Sequence, residues 1–111
     1  MATELRAARS VSVIVPVYNS EAILPALIKR LKPVLVALSC EFEVLLINDG
    51  SRDQSWAVIQ RLTAENHWVR GINLMRNFGQ HNALLCGIRA ALRRERAARK
   101  SFFLFDVAKS T

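Results

Sequence analysis

Cysteine is scarce in this chain: Cys40 and Cys86 are the only two in 111 residues. They stand far apart and form no CxxC pair. That excludes a disulfide-built scaffold and a cysteine metal site, and suits two reduced thiols in a cytosolic protein. Glycine is also sparse, at four. None falls in a GxGxxG dinucleotide fingerprint or a GxxxxGK[ST] phosphate loop. HExxH and GxSxG are absent too, which removes the common metalloprotease and serine-hydrolase readings. No apolar run approaches the ~18 residues a membrane helix needs. The opening MATELRAARS is polar, without the apolar stretch of a secretory signal. The expected location is therefore cytoplasmic, with peripheral contact at the inner face of the membrane left open.

Acidic residues are outnumbered. Nine Asp and Glu face sixteen Lys and Arg, a formal charge of +7. The excess is uneven. Residues 1–88 hold nine basic and seven acidic side chains, whereas 89–111 hold seven basic and two acidic. The basic character thus belongs to the C-terminal segment. Composition is otherwise globular, with 51% hydrophobic and 23% charged residues in a length that suits one domain or part of one. The pattern divides into a polar extension at 1–10, a folded part at 11–92, and a basic tail at 93–111 with a fourth strand as candidate.

Short β-branched runs alternate with longer helical patterns. Val11–Val15 ends at Pro16, and Phe42–Ile47 is a second apolar run. Both read as strands buried on two faces. Val69–Leu74 is a third, and Ser101–Val107 a fourth. Between them, Leu24, Leu27, Ile28, Leu31, Leu35 and Leu38 recur at helical steps. Pro33 is expected to kink or divide that helix. Ser51 to Gln54 fits a capping box, followed by an apolar face of Trp56, Ile59 and Leu62. Leu84, Leu85, Ile88, Ala91 and Leu92 mark a third helix. This order predicts an α/β fold: a Rossmann-like parallel sheet with helices on both faces and the first strand central. Ligands in such sheets bind beyond the carboxyl ends of the strands.

The chemistry therefore belongs just after each strand. Tyr18 and Asn19 follow Pro16, where a flat ring could rest on them. Equally, Asn19 or Ser20 could simply cap the next helix. The second strand runs into Asn48-Asp49-Gly50-Ser51. A carboxylate there can accept the imide N–H of a uracil ring, and the same four residues would also make an ordinary turn. After the third strand, Arg76 could neutralise a diphosphate, and Gly79 could let backbone approach a ligand. Asn77 or Gly79 could instead cap a helix. His81 reads as a solvated first-turn histidine.

Taken together, Val11–Asn19, Asn48–Asp53, Arg76–Gln80 and Gly87 resemble the family 2 glycosyltransferases, over roughly residues 11–92. Within that family the motifs resemble those of the bacterial polyprenyl-phosphate sugar transferases, including enzymes similar to dolichyl-phosphate mannose synthase. The resemblance implies the N-terminal half of a GT-A fold, a nucleotide diphosphate-sugar donor (UDP-sugar by preference), and inverting transfer to a polyprenyl phosphate. It places Pro16, Tyr18 and Glu21 around the nucleoside, Asn48 and Asp49 at the base, and Arg76 near the diphosphate or ribose. Asn48 stands where an Asp is common, which removes one charge. The family also implies Mg²⁺ or Mn²⁺ on an Asp-x-Asp motif after the fourth strand. Here Asp106 matches the first carboxylate and Ala108 occupies the place of the second.

The Arg-rich stretch Leu92–Lys100 replaces a short Gly-containing turn of the family, as a truncation, a frameshift or a longer solvated helix end would. The expectation is a glycosyltransferase-like donor-binding domain that is truncated, lacks the acceptor half, and is catalytically weak or inactive. Two alternatives stand beside it. One is a non-catalytic nucleotide-binding fragment. The other is a small basic module binding nucleic acid or anionic lipid through Arg89–Lys100. The leading reading expects no nucleic acid.

Overall fold

The computed structural model describes residues 10–38, 41–94 and 100–104, the last segment by its backbone. Its elements alternate: β1 (Ser10–Val17), α1 (Leu24–Ala37), β2 (Glu41–Asp49), α2 (Ser55–Glu65), β3 (Val69–Leu74), α3 (Gln80–Arg94) and β4 (Lys100–Leu104). The strands form one parallel sheet in the order β3-β2-β1-β4. The expected architecture is observed, with β1 internal between β2 and β4. The first strand starts one residue earlier than the sequence pattern suggests, and the fourth spans Lys100–Leu104.

Alternation along each strand sorts side chains onto two faces. Val11, Val13, Val15, Val17, Val44 and Leu46 join Leu24, Leu27, Ile28, Leu35, Ile59 and Leu62 in the core beneath α1 and α2. Ile14, Leu45 and Ile47 face α3. With both faces covered, β1 is buried along its whole length, which explains its nearly continuous apolar run. A polar tie crosses the sheet near the start of the strands. Ser12 Oγ donates to Glu43 Oε2 at 2.8 Å, and Arg70 Nη1 donates to Glu43 Oε1 at 2.9 Å.

The helices refine the sequence pattern at two places. Pro33 does not divide α1, which continues through it to Ala37. Proline forfeits one backbone bond, but Pro33 lies on the exposed side, while Ile28 and Leu35 anchor the buried stripe on either side of it. In α3 the large apolar residues do not form the innermost face. Ala83, Gly87, Ala90 and Ala91 are buried, Leu84 and Ile88 flank them, and Leu85 and Leu92 are exposed. The helix lies too close to the sheet for larger side chains.

Gly87 shows how close. A Cβ there would stand 2.5 Å from Ile14 Cγ2 and 3.3 Å from Ile47 Cδ1. Gly87→Ala should therefore cost about 1–3 kcal/mol of stability, despite alanine's better helix propensity. Urea unfolding should show a lower midpoint with an unchanged slope. An equal or higher midpoint would contradict this packing.

Candidate functional site

Three loops converge beyond the carboxyl ends of the strands: 18–23 after β1, 50–54 after β2, and 75–79 after β3. They are joined by side chains that bond from one loop to the next. Asn19 has φ +48°, a left-handed conformation that Asn tolerates better than most residues. Its N–H donates to Ser51 Oγ at 3.0 Å, and its Oδ1 accepts from Arg52 N–H at 2.8 Å. Ser20 N–H donates to Ser55 Oγ at 2.9 Å, and Glu21 N–H to Asp53 Oδ2 at 3.3 Å.

These bonds overturn two local expectations. Asn19 and Ser20 do not cap α1, whose N-cap position is Ile23 and carries no side-chain bond. Ser51 and Gln54 form no capping box, because α2 begins at Ser55 with Gln54 at the N-cap position and no side-chain bond there. Asp53 Oδ1 does the local work instead, accepting from both Ser55 N–H (2.9 Å) and Ser55 Oγ (2.6 Å).

The second and third loops meet at Asp49 and Gly50. Asp49 is 3% exposed, and its Oδ1 accepts from Phe78 N–H at 2.7 Å. Gly50 has φ +67°, and a Cβ on it would lie 2.3 Å from Asn77 N and 2.6 Å from the Arg76 carbonyl carbon. Only glycine satisfies both the turn and that approach. The third loop then enters α3: Gly79 N–H donates to Asn77 Oδ1, and Gly79 O accepts from Ala83 N–H.

Between these loops lies an open hollow of about 200 Å³ lined by Pro16, Val17, Tyr18, Ser20, Asp49, Asn77 and Gln80. Of the residues singled out in the sequence, Pro16, Tyr18 and Asp49 come together there. Glu21 is exposed and contributes its backbone to the loop junction. Arg76 is exposed as well, with its guanidinium carbon 4.8 Å from the centre of the Phe78 ring, a cation–π distance. Asn48 faces the α1/α2 side of the sheet. It is buried, and its Nδ2 donates to Asn73 Oδ1 at 2.8 Å. Its own Oδ1 is buried without a partner among the described residues. Asn77 and Gln80 lie in the Arg76–Gln80 motif but gave no local sign of facing the hollow. His81 is exposed in the first turn of α3. Asp106 and Cys40 lie outside the described residues, as does most of the basic tail. Among the described residues no group of three or more His, Cys, Asp or Glu could hold a metal ion, and no helix is long and apolar enough to cross a membrane.

A parallel sheet with helices on both faces and a hollow at its strand ends is a Rossmann-like arrangement, the one that makes up the N-terminal half of the GT-A fold shared by the glycosyltransferases that follow. The sequence profile of glycosyl transferase family 2 matches residues 12–94, and the chain belongs to that family. Among the solved structures that share the fold are the following two. Residues 1–349 of TarS from S. aureus superpose with a TM-score of 0.64 at 24% identity, covering 87% of this chain and 27% of that one. The Pyrobaculum calidifontis mannosyltransferase PcManGT, in complex with GDP-Man and Mn²⁺, superposes with a TM-score of 0.52 at 20% identity, covering 79% and 24%. The chain spans about a quarter of the length of each.

The loop junction carries its own pH signature. Burial works to raise the Asp53 carboxyl, but hydrogen bonds from the Ser55 side chain, Ser55 N–H and Glu21 N–H outweigh it and hold the group below the usual aspartate value. A depressed carboxyl stabilises the fold fully above its unfolded value of about 3.9 and loses that contribution as pH falls through the lower folded value. Wild type should therefore lose stability relative to Asp53→Asn between about pH 5 and pH 2. Urea midpoints that differ by a constant amount across that range would contradict the role given to these bonds.

Proposed function

We propose that the hollow holds the nucleoside of a nucleotide diphosphate-sugar donor for a sugar transfer. The observation that carries this reading is the meeting of Tyr18, just after β1, and Asp49, the last residue of β2, in one hollow beyond the carboxyl ends of the sheet, where open α/β sheets bind ligands. Tyr18 is 44% exposed, so its ring is available to a flat base. Asp49 Oδ1 is engaged by Phe78 N–H, whereas Oδ2 makes no hydrogen bond among the described residues. One free acceptor oxygen suits the single imide N–H of uracil, which favours a UDP-sugar. Arg76, exposed and next in sequence to Asn77 of the lining, suits the diphosphate or ribose. Pro16 forms part of the floor, Glu21 backs the turn, and Asn48 supports the strand end from the opposite face.

For the reaction we propose attack by a phosphate oxygen of a polyprenyl phosphate on the anomeric carbon. The bond to the nucleoside diphosphate breaks with inversion. A phosphate acceptor is already ionised, so it requires little help from a general base. On this reading the protein works in the cytoplasm and would meet such a lipid at the inner face of the membrane. The Pyrobaculum calidifontis mannosyltransferase was solved with Mn²⁺ as well as GDP-Man, and the family implies Mg²⁺ or Mn²⁺ here. The described residues supply no cluster for that ion, and the proposed role of this half rests on donor binding alone. On their own, these 111 residues should bind donor with little transfer, since positioning of a nucleophile can be worth about 7–11 kcal/mol and no described side chain has been assigned to it.

Asp49→Ala should weaken UDP binding by about 1.5–3 kcal/mol, the scale of a charge-assisted hydrogen bond. Isothermal titration calorimetry on folded variant and wild type checks this. Equal affinities would remove Asp49 from the base site.

A further inference from the structure

We propose that Asn19 is a positioning residue that fixes Tyr18 relative to Asp49 across the hollow; this rests on the nucleoside reading above. Asn19 does not line the hollow, yet both of its ends grip the opposite loop. Its N–H reaches Ser51 Oγ and its Oδ1 receives Arg52 N–H. The path from one wall to the other is therefore short: Tyr18 is joined to Asn19, Asn19 is bonded to Ser51, and Ser51 is separated from Asp49 by Gly50 alone. Two further bonds limit the remaining freedom of this turn. Ser20 Oγ donates to the Tyr18 carbonyl at 2.9 Å, and Ser20 N–H is held by Ser55 Oγ.

The residue type is specified by two demands at once. The backbone requires positive φ, +48°, which Gly and Asn adopt readily. The Arg52 N–H requires an acceptor reaching back from the same residue. Glycine meets the first demand alone. Asn and Asp meet both, so Asp is the conservative replacement. A loop held only by its own turn would leave Tyr18 to be ordered when ligand binds, at a cost in affinity. The clasp settles that ordering during folding.

The test compares wild type, Asn19→Gly and Asn19→Asp by UDP titration and by amide hydrogen exchange over residues 18–21 and 51–53. Asn19→Gly should exchange faster in both loops and bind UDP roughly three- to tenfold more weakly, as loss of one hydrogen bond implies. Asn19→Asp should restore most of both. Unchanged exchange in 51–53 would overturn the clasp. Faster exchange with unchanged affinity would overturn the positioning role while leaving the nucleoside site intact. Failure of wild type itself to bind UDP would overturn the nucleoside reading and the positioning role with it.

Discussion

The site depends on a missing side chain. At Gly50 the β2 strand turns with φ +67°, and the backbone of Arg76 and Asn77 packs where a Cβ would otherwise project. That approach lets Phe78 N–H reach Asp49. It thereby sets one wall of the hollow and directs the chain into α3. The same turn presents Ser51 and Arg52 to Asn19. All three loops are thus referenced to one short stretch, Asp49–Arg52. A larger residue at position 50 would disturb the site at several points while leaving the cores beneath α1, α2 and α3 in place.

This division between core and loops follows from the forces involved. The sheet is held by burial on both faces, which is non-directional and tolerant of detail. The loops are held by hydrogen bonds, each short, directional and dependent on one residue type. Asn19, Ser20, Ser51, Asp53 and Ser55 all look like local capping residues, and in the folded chain each of them takes part in a bond that spans 32–35 positions in sequence. The polar clasp places Tyr18 before any ligand arrives, and a preformed wall is what a donor site needs.

The sequence was informative to different depths. The parallel order and the two-faced burial of β1 and β2 were legible, because continuous apolar runs between helical patterns have few other solutions. The α1 stripe from Leu24 to Leu35 was legible for the same reason. The buried face of α3 was not, since Ala83, Gly87 and Ala90 carry little hydrophobic signal and are chosen for their small size against Ile14 and Ile47. Pro16, Tyr18 and Asp49 could be placed at the strand ends. Asn48 could not be separated from them, because a one-residue step along a strand decides which face a side chain takes. The capping box failed because Ser51 Oγ is taken by Asn19 N–H of another loop and α2 starts only at Ser55. Asn77 and Gln80 entered the hollow through the path of a loop that rests on Gly50, a tertiary effect with no local pattern.

The central claim is that the space between Tyr18 and Asp49 is a nucleoside site. Its most direct test is an NMR titration of the chain with UDP, following backbone amide shifts. The account predicts saturable changes concentrated at residues 17–20, 49–51 and 77–80. Saturable changes centred instead on the separate hollow between α1 and α2, around Lys29, Lys32 and Trp68, or no saturable change at all, would contradict it.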